Sequence, residues 1–305
     1  MRKPQKILYI IISITLCLMI MATTAMSVSM YCDSLDKVDN GSRDKAPNND
    51  VPNDDDDEGN KTYTKRVALT FDDGPHVTRT KAIVDELNKY GYHATFFVVG
   101  NRVDGTEYSG GAAMKYAYNA GNEIAIHGYT HAKHYGYDWE KLGYDPCTEA
   151  EYYAELNNTV KAIQKYIPDY KPTLMRPIGG SITAERADEC DYSVILWDVD
   201  SFDWQHWYSD STAEGSQEKR DTIINNVMSK VTDGSIILMH DIRQSTVDAS
   251  IEIIRRLHEE GYEIVTVSEL IGNELKPGTI YSKGCLIKRR IEYDDRKKIS
   301  SPIFH

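Results

Sequence analysis

The sequence predicts an α/β fold, with a parallel sheet that is covered by helices and closed into a barrel. From residue 65 onward, short apolar runs alternate with amphipathic segments in about seven pairs, and chemically useful side chains follow several of the runs. Such alternation is typical of a parallel sheet, and about seven repeats fit a closed barrel better than an open sheet. The predicted strands are 67–71, 94–99, 123–126, 173–175, 193–197, 235–239 and 263–267. The predicted helices include 81–90, 149–166, 218–231 and 247–260.

Length, composition and charge limit the classes of protein to which this chain can belong. The 305 residues leave room for one domain of about 200–250 residues plus extensions. With 41% hydrophobic and 27% charged residues, the chain can fill a globular core. Its formal net charge of −12 argues against a nucleic-acid partner, because binding phosphates requires a basic surface.

The first 32 residues predict an exported protein. Arg2, Lys3 and Lys6 precede an apolar run over 7–22, which a softer stretch extends to residue 30. This pattern is typical of a signal peptide or of a single membrane anchor with its N-terminus inside the cell. Both alternatives stay open, with anchoring favoured. They place the rest of the chain on the extracellular face of the membrane or in the cell wall.

Two further segments flank the predicted domain, which covers residues 64–271. Residues 33–63 predict a disordered acidic linker, since ten acidic and three basic residues between 33 and 60 leave little apolar surface to bury. Residues 272–305 lack strong periodicity, contain basic clusters and predict a C-terminal surface extension.

The five cysteines predict no metal site of their own. Cys17 lies in the N-terminal apolar run, and Cys32, Cys147, Cys190 and Cys285 have no CxxC or similar spacing. A bridge between Cys147 and Cys190 is compatible with an extracellular location, but the sequence does not establish it.

Polar residues follow one predicted strand after another at the C-terminal end of the strand. In an α/β barrel this rim is where active sites are built, so these endings should converge on one place. The endings are Asp72-Asp73, His127, Arg176, Asp198 with Asp200, and His240-Asp241.

Two of these endings predict a metal site. Asp72 and Asp73 are adjacent at a strand end and point to different sides, so one carboxylate can bind a metal while the other stays free as a base. His127 and His131 are four residues apart, which predicts two imidazoles on the same side of one helical turn. With Asp73 they form a set of two histidines and one carboxylate that suits a divalent metal such as zinc and leaves positions for water and substrate.

The remaining endings supply candidate acid and base partners. Arg176 is expected to hold Asp72 ionised and aimed, because an adjacent cation favours the charged carboxylate. His240 has the chemistry of a general acid near neutral pH, and Asp203 is a candidate to orient it and raise its pKa. The alternatives for Trp204 are a wall of the cleft or a place in the core.

In this order the motifs resemble those of the polysaccharide deacetylases, the NodB-homology group or carbohydrate esterase family 4. The resemblance covers about residues 65 to 271 and rests on the motifs 70–75, 127–131, 176–180, 198–204 and 238–241. It implies a distorted (β/α)7 barrel and a divalent metal, with Zn²⁺ favoured and Co²⁺ or another ion as alternatives.

Carried over position by position, the resemblance also implies residue roles. Asp72 would be the base and His240 the acid, with Arg176 anchoring the base and Asp203 tuning the acid. The implied metal ligands are Asp73, His127 and His131. Trp204 and Leu238 would shape the acetyl pocket.

Two positions depart from the family pattern. Gly128 stands where a hydroxyl residue usually follows the first metal histidine, which removes a contact behind that ligand. Gly179 stands where an aromatic residue is common, in the motif Arg176-Pro-Ile-Gly-Gly180. The resemblance implies that the backbone N–H at this position helps to hold the oxyanion. Gly179 keeps that N–H but offers no side-chain wall to the substrate.

The expected function is a metal-dependent hydrolase that removes N-acetyl groups from a cell-wall polysaccharide and releases acetate. Because the expected tether places the domain beside the cell's own wall, N-acetylglucosamine of peptidoglycan is the favoured substrate. Chitin-like oligosaccharides and acetylxylan remain alternatives, and a non-catalytic glycan-binding wall protein is the alternative from another class. The expected partners are the glycan and, through the N-terminal segment, the membrane, and the protein is expected to be a monomer.

Overall fold

A curled sheet of parallel strands with helices on its outer face forms the core of the protein. The computed structural model describes residues 65–105, 110–132, 147–208, 210–283 and 285–286. The strands are β1 (Lys65–Asp72), β2 (Thr95–Val98), β3 (Glu123–Ile126), β4 (Leu174–Met175), β5 (Ser193–Ile195), β6 (Val199–Asp200), β7 (Ile236–His240), β8 (Tyr262–Val265), β9 (Ile280–Ser282) and β10 (Cys285–Leu286). The α-helices are α1 (Arg79–Asn88), α2 (Gly100–Asp104), α3 (Gly111–Asn119), α4 (Glu149–Gln164), α5 (Ala184–Asp188), α6 (Ser216–Met228), α7 (Gln244–Glu259) and α8 (Val267–Ile271). Short 3₁₀ turns cover Ile178–Gly180 and Gly272–Glu274.

The strand order brings the predicted site residues to one edge of the sheet. The order is β10-β9-β5-β4-β3-β2-β1-β7-β6, and β8 pairs with the first part of β1. All of these pairs are parallel except β9 with β10. Asp72, the last residue of β1, lies opposite His240, the last residue of β7. The C-terminal ends of the central strands therefore meet, as expected for an α/β barrel.

The segment from β5 to β6 makes the sheet curl. These two strands follow each other directly in the chain, yet β5 pairs with β4 and β6 pairs with β7 at the other side of the sheet. The result is a curled half-barrel of parallel strands, which is consistent with a distorted (β/α)7 fold. The prediction of an α/β fold with a parallel sheet is thereby confirmed.

The first part of the predicted C-terminal extension belongs to the sheet. β9 pairs in parallel with β5, and the backbone N–H of Leu196 donates to the carbonyl oxygen of Tyr281 at 2.8 Å. Tyr281 is fully buried. The boundary predicted at residue 271 thus lies before the last strands of the sheet. Short runs such as 280–282 are hard to recognise in a sequence, because their length gives little periodicity.

Helices cover the outside of the sheet through apolar faces. On α7 the fully buried residues Ile253, Ile254 and Leu257 recur at the spacing of one helix face and join the core beneath the sheet. The start of α4 has a capping box, in which the Thr148 side chain accepts from the Glu151 N–H and the Glu151 carboxylate accepts in return. This cap stabilises the first turn of α4, the helix that carries Glu155.

The predictions for the N-terminal segments and for the cysteines have different outcomes. The N-terminal segment 1–32 and the linker 33–63 lie outside the described residues. Among the helices that are described, none combines the length and the apolar character needed to cross a membrane. Cys190 is a buried free thiol, so the bridge to Cys147 is not formed. Nothing is described of the Cys285 side chain.

Candidate active site

The site begins with a buried ion pair at the end of β1. Arg176 follows β4 and is fully buried, and its Nη1 donates to Asp72 Oδ1 at 2.7 Å and to Thr70 Oγ1 at 2.8 Å. Its Nε and Nη2 donate to the carbonyl oxygens of Ile195 and Leu196 at 3.1 and 3.3 Å. The guanidinium therefore has partners on several sides, which offsets much of the cost of burying it.

The environment of this ion pair fixes the Asp72 carboxylate. Asp72 is only 3% exposed, and the Arg176 guanidinium lies 4.1 Å above the centre of the Phe97 ring. An arginine held between an aromatic ring and several acceptors cannot easily change its position. The predicted contact between Arg176 and Asp72 is thus present, and it leaves the second carboxylate oxygen, Oδ2, directed toward His127 at 3.7 Å from Nε2.

Beside the ion pair, three side chains converge in the manner of a metal site. Asp73 Oδ1 lies 2.9 Å from His131 Nε2 and 3.5 Å from His127 Nε2. One ligand atom from each of the three residues falls within 4.8 Å of the others. Asp73 Oδ1 is buried and accepts no hydrogen bond of good geometry. A buried carboxylate oxygen facing two imidazole nitrogens fits a divalent cation, since buried polar atoms otherwise find a partner.

The protonation states of Asp73 and His127 suit metal binding. Burial raises the pKa of Asp73, but its contact with His131 and the charges of His240, His131 and His127 outweigh burial and hold the pKa well below its usual range. Burial lowers the pKa of His127. Its Nδ1 contacts the Arg176 carbonyl oxygen at 2.8 Å, which orients the ring and turns Nε2 toward Asp73. An ionised carboxylate and a neutral imidazole are the forms that bind metals.

The loop that carries the two histidines is not helical, so the prediction of one helical turn is wrong. Gly128 and His131 have positive φ angles of 79° and 57°, which a helix cannot contain. The loop is held from outside instead. Glu155 on α4 accepts hydrogen bonds from the N–H groups of Tyr129 and Thr130 at 2.7 and 2.8 Å. Sequence reasoning missed Glu155, because a glutamate inside a helix carries no signal of its own.

On the opposite side of the site, His240 and Asp203 form a tightly bonded pair. His240 Nδ1 lies 2.7 Å from Asp203 Oδ1, and the His240 N–H donates to Asp203 Oδ2 at 2.8 Å. Thr246 Oγ1 donates to the same Oδ2 at 2.6 Å. Asp203 is fully buried. The sequence identified His240 and Asp203, whereas Thr246 was missed because a threonine in the first turn of a helix has many common roles.

The charge of Asp203 changes the acid strength of His240. Burial lowers the pKa of the imidazole, but the nearby Asp203 carboxylate and its hydrogen bond outweigh burial and raise the pKa to about 10. For Asp203, burial raises the pKa, while the His240 charge and the hydrogen bonds to it lower the pKa below the usual value. His240 therefore stays protonated through neutral pH, as a general acid requires.

The predicted substrate-contacting residues differ in their exposure. Trp204 is 55% exposed, whereas Leu238 on β7 is 3% exposed and packs in the core. Gly179 has a φ of 62°, and a Cβ atom added there would meet nothing within 4 Å. At Gly180 a Cβ atom would lie 2.8 Å from Trp197. Space is therefore open above Gly179, whereas Trp197 fills the space at Gly180 from within the core.

One predicted strand ending does not join the site. The Asp198 carboxylate accepts from Ser235 Oγ at 2.8 Å and from the Ile236 N–H at 2.6 Å. It therefore binds the beginning of β7, away from the C-terminal end that carries His240. Asp200 accepts from the Phe202 N–H at 2.7 Å and shapes the turn before Asp203.

Comparison with known proteins identifies relatives of this chain. A family model described as polysaccharide deacetylase matches residues 59–194. The peptidoglycan-N-acetylmuramic acid deacetylase PdaC of Bacillus subtilis is 37% identical over 206 residues, which are 68% of this chain and 38% of that protein. A peptidoglycan-N-acetylglucosamine deacetylase of Bacillus cereus is 32% identical over 213 residues, which are 68% of this chain and 88% of that protein.

Solved structures agree with these relatives. The structure of PdaC is similar with a TM-score of 0.56 at 37% identity, covering 68% of this chain and 89% of that one. A family 4 acetyl xylan esterase from Clostridium thermocellum, solved with a cobalt ion, has a TM-score of 0.56 at 30% identity over 68% of this chain and 90% of that one. The chain matches only about two fifths of the length of the full PdaC protein.

Proposed function

The chain belongs to the polysaccharide deacetylase family, and on that premise we propose that it is a metal-dependent hydrolase that removes N-acetyl groups from a cell-wall polysaccharide. The observation that carries the proposal is the meeting of three groups at one edge of the sheet. They are the Asp72–Arg176 ion pair, the Asp73–His127–His131 cluster and the His240–Asp203 pair. A base, a metal site and an acid in one place are what hydrolysis of an acetamide needs.

The proposed metal ligands are Asp73, His127 and His131. Two imidazoles and one carboxylate leave positions for water and substrate, and Zn²⁺ is the ion that this set suits best, with Co²⁺ as an alternative. When bound, a divalent ion supplies a Lewis acid that polarises the acetamide carbonyl and makes a water molecule more acidic. The chain contributes the geometry, since His127 is locked by the Arg176 carbonyl oxygen and the loop of His131 is held by Glu155.

Asp72 is proposed as the general base. Arg176 binds its Oδ1, so the carboxylate is held in one orientation with Oδ2 toward the metal cluster. A water molecule that attacks the acetamide carbon loses its proton to this carboxylate, and a tetrahedral oxyanion forms. The N–H of Gly179 is proposed to donate to that oxyanion.

His240 is proposed as the general acid. As the carbon–nitrogen bond breaks, the imidazolium gives its proton to the nitrogen, which leaves as the free amine of the sugar, and acetate is the second product. Asp203 acts through His240, because it fixes the ring and favours the protonated form. Trp204 and Leu238 are proposed to enclose the acetyl group.

The proposed substrate is peptidoglycan, with N-acetylglucosamine as the favoured sugar. The relatives named above act, by their names, on N-acetylglucosamine or N-acetylmuramic acid in peptidoglycan. We further propose that residues 1–32 export or anchor the chain, that 33–63 are a linker, and that the catalytic domain begins near residue 64 and includes β9. An outward-facing domain on such a linker would reach the cell's own wall.

The proposal is tested by measuring acetate release from purified wall glycan, chitin oligomers and acetylxylan, with and without a chelator and added zinc. We expect release from the wall glycan, loss of activity with chelator and recovery with zinc. The Asp72→Asn variant should release no acetate while it still binds zinc, because the amide cannot accept the proton. Turnover by this variant equal to that of the unaltered chain would contradict the assignment of Asp72 as the base. Release from acetylxylan but from neither amino-sugar polymer would overturn the choice of substrate.

A further inference from the structure

An exposed tryptophan and an exposed arginine stack on each other beside the active site. Trp207 is 47% exposed, and the guanidinium carbon of Arg243 lies 4.7 Å from the centre of its ring. We propose that this Trp207–Arg243 pair is a binding subsite for a glycan that carries carboxylates. The inference rests on the proposed function and specifies which chemical feature of the substrate is recognised outside the acetyl pocket.

The pair lies on the two chain segments that carry the proposed acid and its partner. Asp203 and Trp207 lie on the loop after β6, while His240 ends β7 and Arg243 lies on the loop that follows it. The two loops are joined by the bonds between Asp203 and His240, and further along by the Ser245 N–H, which donates to the Tyr208 carbonyl oxygen at 3.4 Å. A sugar polymer held at the pair would therefore lie along the segments that carry the proposed acid and its partner.

The Arg243 guanidinium is available for an anion. Among the described residues, no carboxylate lies within ion-pair distance of it, unlike Arg255 on α7, which contacts Glu252 and Glu259. A stacked guanidinium keeps its edge N–H groups free, and these can donate to a carboxylate in pairs. A further cation lies close by, since Lys219 Nζ donates to the Trp207 carbonyl oxygen at 3.4 Å.

The flat ring and the local charge together favour one kind of occupant. An exposed indole offers an apolar face against which the C–H face of a sugar can pack. The chain as a whole has a net charge of −12, and Arg243 and Lys219 place two cations beside this one indole. The nearby Asp248 carboxylate accepts hydrogen bonds from Tyr208 and Gln244. A neutral glycan would need the ring alone, whereas a glycan with carboxylates would use both the ring and the guanidinium.

The test compares a charged and a neutral glycan with matched variants of the full chain. The charged probe is wall glycan freed of its peptides, so that its lactyl groups are carboxylates, and the neutral probe is a chitin oligomer. We expect Arg243→Gln to raise KM about two- to fivefold on the charged glycan, with kcat unchanged and no change on the chitin oligomer. Arg255→Gln removes the same charge from within α7 and should leave both KM values unchanged.

The ring is tested separately. Trp207→Ala should raise KM on both glycans. Trp207→Phe keeps a flat ring, so its KM values should stay close to those of the unaltered chain. Unchanged KM values for both Arg243→Gln and Trp207→Ala would overturn the subsite. An equal effect of Arg243→Gln on the two glycans would overturn the recognition of carboxylates.

If the proposed function is wrong, the result differs from that of a missing subsite. In that case the unaltered chain would release no acetate from either probe. The subsite would then be tested by affinity electrophoresis in gels that contain the peptide-free wall glycan. Weaker retardation of Arg243→Gln than of the unaltered chain supports the subsite, and equal retardation overturns it.

Discussion

The inner and the outer half of the active site are held by different means. In the inner half, Asp72, His127 and Arg176 stand at or directly after strand ends, and none is more than 3% exposed. In the outer half, His131, Trp204 and Trp207 stand on loops and are 40–55% exposed. The parallel sheet thus fixes the buried groups of the site, while the loops carry the exposed ones. A fold built in this way can change its substrate without disturbing its chemistry.

The largest effect is expected from breaking the inner half. Arg176→Met leaves Asp72 as a buried carboxylate without its partner, which should destabilise the protein by about 3–5 kcal/mol and abolish acetate release. Chemical denaturation measures the change in the free energy of unfolding. Arg255→Met, on an exposed face of α7, is the matched control and should cost less than about 1 kcal/mol. Similar losses for the two variants would contradict the difference between the buried and the exposed pairs.

Replacement of a proposed metal ligand in the outer half should weaken metal binding rather than folding. His131→Ala removes an imidazole that is 40% exposed, so we expect zinc affinity to fall about 100-fold or more with little change in stability. Competition with a chromophoric chelator measures the affinity. His93→Ala serves as the control, because His93 precedes β2 at the opposite end of the sheet. Unchanged zinc affinity in His131→Ala would remove this residue from the proposed site.

The smallest effect concerns the pH range of activity. His240 must be protonated to act as an acid, and its pKa of about 10 keeps it so until the pH rises through that value. Asp203→Asn removes the charge that raises this pKa, so the alkaline limb of the pH–activity profile should move to lower pH by about 1–3 units. The same raised pKa stabilises the fold at neutral and acidic pH, and that contribution is lost as the pH rises through 10. An alkaline limb that does not move in the variant would separate Asp203 from the acid strength of His240.

The sequence predicted the inner half better than the outer half for physical reasons. Parallel strands put their C-terminal residues at one edge, so Asp72, Arg176 and His240 could be placed together from strand patterns alone. The loop from His127 to His131 was expected to be helical because its spacing fits a helix. The structure instead uses two residues with positive φ angles and an external contact from Glu155. Such contacts depend on tertiary packing that local sequence does not express.

The dependence on tertiary packing also explains other differences between the predicted and the observed structure. Asp198 follows a strand as Asp72 does, but β5 and β6 are one continuous segment that crosses to the far side of the sheet, so its carboxylate binds the start of β7. The crossing has no sequence signal. Short elements such as α2 (Gly100–Asp104) and β9 were also not predicted, since three to five residues give little periodicity.

The pairing of β9 with β5 has a consequence for how the chain folds during synthesis. β5 leaves the ribosome about 85 residues before β9, and one edge of β5 has no described partner other than β9. An unpaired strand edge readily pairs with other chains, which is a common start of aggregation. The nascent protein therefore carries an unpaired strand edge until β9 has been synthesised, and shielding of that edge by chaperones would matter most during this interval.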